Sequence, residues 1–308
     1  MPRFPALACA AIASLACASM PTTHPLDFGG PGAVTIPGLA ACSDGASAVH
    51  RIDPDRPVVL LVHGCYSSGG RFRSLAEVFE LHGQQTLCFN YDFRDSLRDS
   101  GDQLDAALRE LRRHMRDPNV TILGHSQGGL VARAALSRDD EPLVGRDRLV
   151  TVSSPFAGIR AASDCGSLVL HVATLGITVA VCQIATGSNW SEIHPKADMV
   201  REPAVLRPTV SDHLAVMTRE RDTCRRYGPS GTCEESDFVF ALEEQDNPKL
   251  LEDPRVTLDQ VAAGHVEIVG ESGVRPEKLI TMLQRHGVLA PTPVALQESL
   301  TRLLTRLF

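Results

Sequence analysis

The sequence has no excess of positive charge and no block of like charge. Its 308 residues carry a formal net charge of −7, whereas a nucleic-acid partner requires a basic face for its phosphates. Nucleic-acid binding is therefore excluded. The sequence also has no C-x-x-C pair and no cysteine–histidine cluster at zinc spacing, so we expect no metal and no other cofactor. Internal repeats and low-complexity tracts are absent as well.

The first 18 residues are predicted to be a signal peptide. Arg3 gives a weakly positive start, and the apolar run 7–15 has the length of a signal-peptide core. The small residues Ala16-Cys17-Ala18 fit a signal-peptidase cleavage site after Ala18. The leucine and alanine before Cys17 also resemble a lipoprotein signal, in which Cys17 would carry the lipid. We expect an exported protein, secreted or periplasmic, and leave the lipid anchor open.

Export to an oxidising compartment makes disulfides an expectation. Two of the nine cysteines lie in the signal segment, which leaves seven, an odd number, so at least one thiol has no partner within the chain. Cys224 and Cys233 enclose a turn-rich loop that a disulfide would close easily. Cys165 and Cys182 bracket an apolar segment and form a second candidate pair.

Apolar runs alternate with amphipathic runs through the first half of the chain. A continuous apolar run is typical of a strand buried on both faces. We predict strands at 57–62, 85–91, 120–123 and 148–152, helices at 72–81 and 104–115, further strands at 237–242 and 256–261, and a last amphipathic helix at 296–307 that docks on the core. This alternation indicates a parallel sheet covered by helices, with functional groups at the carboxyl ends of its strands.

Gly124-His125-Ser126-Gln127-Gly128 lies between a predicted strand and a run of small residues typical of a helix. A strand, a sharp turn that bears a serine, and a helix together form the setting of a nucleophile elbow. The glycines leave room where a side chain would collide with the adjoining strand or helix. We therefore predict that Ser126 is a catalytic nucleophile.

A serine hydroxyl needs a base to remove its proton and a carboxylate to orient that base. His265 is the preferred base, because it follows the last predicted strand on a loop that a glycine makes adaptable. Asp246 is the preferred acid, since turn residues place it just beyond the predicted strand 237–242. Glu244 and, more distantly, Asp212 remain alternatives.

Hydrolysis through an acyl-enzyme also needs N–H donors for the oxyanion of the tetrahedral intermediate. The backbone N–H of Gln127 is predicted to be one donor, at the positive end of the helix dipole. The second is predicted to be the backbone N–H of Cys65, in the His-Gly loop after the strand 57–62. The thiol of Cys65 need not be reactive, and a structural pairing with Cys88 is an option.

These blocks resemble the α/β-hydrolase superfamily, and within it the secreted bacterial lipases and esterases. The resemblance spans about residues 57 to 270 and rests on Val62-His63-Gly64, Gly124-His125-Ser126-Gln127-Gly128-Gly129, Ser153-Ser154-Pro155-Phe156-Ala157-Gly158 and Gly264-His265-Val266-Glu267. It implies an α/β-hydrolase fold in one domain from 30 to 308, a Ser126–His265–Asp246 triad and an inserted cap. The insertion and the stretch 224–233 depart from the typical lipase, and no calcium-site signature is present.

The insertion is predicted at about 160–200. Within it, 168–185 is almost wholly apolar, but polar residues in the run argue against a membrane span. A hydrophobic flap over an acyl-binding pocket and a buried core helix are equally compatible with it.

Together these features predict an exported serine hydrolase that cleaves carboxylic esters through an acyl-enzyme, with an ester or lipid as its substrate. An acyltransferase that uses the same triad and a catalytically inactive binding protein on the same fold are the alternatives. Contact with a membrane surface or lipid interface, and the oligomeric state, are left open.

Overall fold

A computed structural model describes residues 33–43, 49–137, 144–160, 191–271 and 273–308. The predicted signal peptide with Cys17, the candidate pair Cys165–Cys182 and most of the predicted cap lie outside these residues.

A seven-stranded sheet forms the centre of the described structure. Its strands, in chain order, are β2 (Leu39–Ala40), β4 (Val58–Val62), β5 (Gln85–Phe89), β6 (Val120–His125), β7 (Asp147–Val152), β8 (Val210–Thr218) and β11 (Val256–Val261). They lie side by side in the order β11-β8-β7-β6-β4-β5-β2, and all neighbours are parallel except the antiparallel edge strand β2. Two short antiparallel pairs stand apart: β1 (Ala33–Thr35) with β3 (Val49–Arg51), and β9 (Cys224–Tyr227) with β10 (Cys233–Ser236).

Helices cover both faces of this sheet. In chain order they are α1 (Arg73–Leu81), α2 (Leu97–Arg112), α3 (Gln127–Ala135), α4 (Asp198–Arg201), α5 (Leu242–Gln245), α6 (Glu277–Arg285) and α7 (Val294–Leu307). Short 3-10 helices lie at Gly69–Phe72, Pro248–Glu252 and Glu267–Val269. Ser96 caps the start of α2, because its side chain accepts hydrogen bonds from the N–H groups of Arg98 and Asp99.

The core lies on both sides of the sheet, which explains the continuous apolar runs. Along β4, Val58, Leu60 and Val62 pack with α2 and α3, while Val59 and Leu61 pack with α1, α6 and α7. A strand with both faces buried has no position for a polar side chain. The predicted α/β-hydrolase fold is confirmed.

One predicted strand is wrong, and two strands of the central sheet, β2 and β8, were not predicted. Residues 237–241 form no strand, and α5 starts at Leu242. The strand next to β11 is β8. Its start carries Ser211 and Asp212, so the apolar run is short, and it follows the insertion that interrupts the alternation of strands and helices.

Two disulfides occur in the described residues, Cys42–Cys88 and Cys224–Cys233. The second confirms the predicted closure of the turn-rich loop. The suggested pairing of Cys65 with Cys88 is wrong, because β2 pairs with β5 and brings Cys42 to Cys88 with a Cα–Cα distance of 5.0 Å. Cys65 is a free thiol.

The C-terminal helix α7 docks on the core, as its pattern predicts. Leu304 is buried, and Leu300, Leu303 and Phe308 pack against the cluster on the α1 side of the sheet. Within the described part of the chain, no helix is both long and apolar enough to cross a membrane.

Candidate active site

Ser126 forms a sharp turn between β6 and α3. It has φ 57° and ψ −128°, a backbone conformation that residues other than glycine rarely adopt. Its N–H donates to the carbonyl of Val152 at 2.9 Å. A Cβ on Gly124 would lie 2.4 Å from the carbonyl oxygen of Gly128, and one on Gly128 would lie 2.2 Å from that of Val62. The elbow motif therefore needs its glycines because backbone passes directly against them.

The His-Gly loop lies against this serine. A Cβ on Gly64 would be 2.8 Å from Cβ and 3.2 Å from Oγ of Ser126. The Cys65 thiol donates a hydrogen bond to Oε1 of Gln127, and Nε2 of Gln127 donates to the carbonyl of Phe93 at 2.9 Å. The structure thus brings together the two residues predicted as oxyanion donors. Since Gln127 opens α3, its N–H has no helical carbonyl to bond with.

The Cys65 thiol remains protonated at neutral pH. Cys65 is exposed as a residue, but the burial of its sulfur beside Gln127 raises the pKa of the Cys65 thiol to about 11. Thiolate, not thiol, is the nucleophilic form of cysteine. Cys65 therefore acts as a hydrogen-bond donor that ties the two loops together.

His265 lies against a buried carboxylate, that of Glu220. The distance from Nδ1 of His265 to Oε1 of Glu220 is 2.9 Å, and both side chains are buried. Ser153 Oγ donates to the same carboxylate oxygen at 2.6 Å and lies 2.8 Å from Nδ1 of His265. The second oxygen of Glu220 accepts the N–H groups of Val239 at 2.7 Å and Phe240 at 2.8 Å. An Nδ1–H held on a carboxylate leaves Nε2 of His265 as the nitrogen that can accept a proton.

Glu220 is ionised at neutral pH. Burial acts to raise its pKa, but the hydrogen bonds and charge of His265, with further hydrogen bonds from Ser153 and Phe240, outweigh burial and lower the pKa of Glu220 below its ordinary value. A negative charge therefore faces the imidazole, where it would stabilise a protonated His265.

The structure does not bring Asp246, the predicted acid, to His265. Asp246 is an exposed residue at the end of α5. The alternative Glu244 is buried, but its carboxylate accepts the N–H groups of Arg160 at 2.7 Å and Ala241 at 2.8 Å. Asp212, the third candidate, pairs with Arg148 at 2.7 Å.

Glu220 was missed because β8 was missed. As expected, the acid candidate follows a strand, but that strand is β8: it pairs with β11, and Glu220 stands two residues after its last residue, Thr218. The detectable signal was the run Leu-Ala-Val-Met-Thr at 214–218, followed at once by charged residues.

Two further histidines organise the site. The ring of His63 stacks on Tyr91 with a centroid distance of 4.6 Å, and Tyr91 Oη donates to the carbonyl of His63 at 2.8 Å. Nε2 of His125 lies 2.9 Å from the carbonyl oxygen of His265. Burial lowers the pKa of both His63 and His125, so both are neutral at neutral pH. They support the loops rather than carry a charge.

A cavity of about 410 Å³ opens beside α3, the helix that follows Ser126. Leu130, Ala134 and Phe156 form part of its wall, together with 198–200 and 202–204. Charged side chains, including Arg98 and Glu192, also line it. It therefore offers a partly apolar space with polar groups around it.

The strand order, the serine elbow at the end of β6 and the histidine beyond β11 define an α/β-hydrolase. Solved structures agree on the fold: the lipase BlEst2 of Bacillus licheniformis matches in its propeptide form with a TM-score of 0.54 over 75% of this chain and 50% of that chain, at 16% identity. Its mature form matches with a TM-score of 0.51 over 76% and 92%, also at 16% identity.

A family profile for palmitoyl protein thioesterase matches residues 57–228, more than half of the chain. This chain belongs to the palmitoyl protein thioesterase family. Lysosomal thioesterase PPT2 of Rattus norvegicus is 29% identical over 192 residues, which cover 61% of this chain and 62% of the relative. The same protein of Homo sapiens matches to the same extent. The chain thus spans about three-fifths of the length of these relatives.

Proposed function

We propose that this protein is an exported serine hydrolase that cleaves acyl esters and thioesters, with Ser126 as nucleophile, His265 as base and Glu220 as acid. The observation that carries the proposal is the buried His265–Glu220 pair, which lies at the same sheet edge as the strained Ser126. Glu220 replaces Asp246 in this assignment.

The proposed reaction has two halves. His265 Nε2 takes the proton of Ser126 Oγ as that oxygen attacks the acyl carbonyl carbon, and the backbone N–H groups of Cys65 and Gln127 hold the oxyanion. The imidazolium then returns the proton to the departing thiolate or alkoxide, and the acyl group remains on Ser126. Water, deprotonated by His265, attacks the acyl-enzyme, releases the carboxylic acid and restores the serine.

Family membership favours a thioester as the substrate, because the family and the relatives are described as thioesterases. The cavity beside Leu130 and Phe156 is proposed to receive the acyl chain, since its wall begins one helical turn after the nucleophile. This extends the sequence-based expectation from carboxylic esters to thioesters.

Export is supported by two independent features. Disulfides persist in oxidising compartments, and the described residues hold two, Cys42–Cys88 and Cys224–Cys233. The relatives are described as lysosomal. The mass of the mature N-terminus distinguishes cleavage after Ala18 from lipidation at Cys17.

The test compares thioesters and p-nitrophenyl esters of matched chain length, from butyryl to palmitoyl, together with labelling by a fluorophosphonate. The wild-type protein is expected to hydrolyse at least one series and to take up the label. Ser126→Ala is expected to lose the label and to lower kcat at least about a thousandfold. The control Ser299→Ala, in α7, keeps both activities. A Ser126→Ala protein that still labels or turns over would contradict the assignment.

A further inference from the structure

We infer that the segment Asp237–Phe240, here called the strap, sets the geometry of the His265–Glu220 pair, and that Asp237 is a positioning residue for the reaction. The inference rests on the proposed function for its purpose, while the contacts themselves do not depend on it. The strap lies outside the sheet, directly after the hairpin of β9 and β10.

Asp237 binds three consecutive N–H groups of the histidine loop. Its backbone carbonyl accepts the N–H of His265 at 2.9 Å. Its carboxylate accepts the N–H of Val266 at 3.0 Å and that of Glu267 at 2.9 Å. Asp237 is only 2% exposed, so these bonds have no competition from water. A Cβ on Gly264 would lie 2.0 Å from the carboxylate, which explains the glycine before His265.

The other end of the strap binds the acid. The N–H groups of Val239 and Phe240 both donate to Oε2 of Glu220, at 2.7 Å and 2.8 Å. The ring of Phe240 packs edge-on against the His265 imidazole, with a centroid distance of 4.9 Å and an interplanar angle of 87°. Three of the four residues of the strap therefore hold the two members of the pair.

The disulfide-closed hairpin supplies the counter-charge for Asp237. Nη2 of Arg225 lies 3.3 Å from Oδ1 of Asp237, and Nη1 lies 3.1 Å from Glu235. Arg225 follows Cys224, whose bond to Cys233 closes the hairpin. The hairpin thus fixes the start of the strap and places a cationic side chain against Asp237.

Loss of the Asp237 carboxylate would leave two buried N–H groups of the histidine loop without an acceptor, and the loop would relax toward other partners. A displacement of about 1 Å at a catalytic group costs about a hundredfold in rate. Substrate binding does not depend on this loop in the proposed mechanism. The expected effect is therefore on kcat and not on KM.

The kinetic test uses Asp237→Asn, Asp237→Ala and the control Asp259→Asn, whose carboxylate pairs with His286 away from the site. Asp237→Asn keeps one accepting oxygen, so kcat should fall about tenfold, and Asp237→Ala should lower it about a hundredfold, with KM within about twofold. Asp259→Asn should stay near the wild type. Equal kcat losses in all three variants, or a loss confined to KM, would overturn the inference.

A spectroscopic test keeps the inference separate from the proposed function. The imidazole proton shared by His265 and Glu220 should give a downfield NMR resonance that Glu220→Gln abolishes. The resonance should shift or broaden in Asp237→Asn and in Arg225→Gln, but not in Asp259→Asn. Should Asp237→Ala fail to fold, Asp237→Asn and Arg225→Gln still test the inference. An unchanged resonance in both overturns the role of the strap. A changed resonance in a protein that hydrolyses no ester or thioester supports the strap and overturns the proposed function.

Discussion

The carboxylate of Glu220 has five hydrogen-bond partners, which come from four different segments of the chain. Ser153 and His265 share one oxygen, and the strap amides of Val239 and Phe240 bind the other. Thr218 Oγ1 also donates to the first oxygen, at 2.7 Å. A carboxylate bound on both oxygens cannot rotate, so it fixes the tautomer and the plane of the imidazole that it holds.

Replacement of this carboxylate should be far more damaging than replacement of the aspartate favoured by the sequence. Glu220→Gln preserves shape but places an amide opposite Nδ1 of His265, which favours the wrong tautomer. We expect kcat to fall about a thousandfold or more. Asp246→Asn, at an exposed helix end, should stay within about twofold. Steady-state kinetics on one ester and one thioester measure both, and equal losses would argue against Glu220 as the acid.

The residues of the proposed site differ in how well the sequence predicts them. Ser126 and its glycines can be recognised from the sequence because a nucleophile elbow needs them at fixed spacing in one short stretch. His265 follows from chain order. The acid has no local pattern, since any carboxylate at the right loop would serve, and its identity depends on which segment is the strand. Because 237–242 was taken as the strand, the sequence favoured Asp246 as the acid instead of Glu220.

At the scale of elements, a long apolar run was recognised as a strand, whereas β8, which begins with polar residues, was not. The strand β4 is apolar at every position because both of its faces are covered. β8 carries polar side chains at its start, and the strap carries Phe238 and Val239, which are half-exposed. Its apolar composition therefore led to the prediction of a strand in the strap. The strand that pairs with β7 and β11 in the sheet is β8.

The docking of α7 can be tested with a matched pair of leucine and valine truncations. Leu304 is 6% exposed within the core on the α1 side, whereas Val294, in the first turn, is 84% exposed. Leu304→Ala should lower the free energy of unfolding by about 2–3 kcal/mol, and Val294→Ala by less than about 0.5 kcal/mol. Urea denaturation of both variants measures the difference. Similar values for the two would mean that the helix is not packed as described.

At the scale of the whole molecule, the alternation of strands and helices was sufficient for the fold class, because only a parallel sheet with helices on both faces accommodates it. It was insufficient for the connections around the insertion, where periodicity carries no information on which strand comes next. The Cys42–Cys88 disulfide shows the same limit, since these two cysteines meet only through the pairing of β2 with β5.

The two disulfides should differ in what their removal costs. Cys42 and Cys88 are 46 residues apart, and Cys224 and Cys233 are 9 apart. Loop-closure entropy then gives about 4 kcal/mol for the first and about 3 kcal/mol for the second. Replacement of each pair by serines, followed by chemical denaturation and kinetics, should show the larger stability loss for Cys42–Cys88. The larger kcat loss should belong to Cys224–Cys233. The reverse order for kcat would separate the hairpin from catalysis.

The register of β8 and β11 has a consequence for how this chain can change in length. Thr218 pairs with Val261 at the carboxyl end of the two strands, so Glu220 and His265 leave the sheet side by side although 45 residues separate them in sequence. Their proximity is set by neighbouring strands and by the strap, not by the length of chain between them. At the tip of the hairpin, a Cβ on Gly231 would have no described atom within 4 Å. Growth or shortening at that tip therefore leaves Glu220 and His265 where they are, and the tip is a part of this region that is free to vary in size.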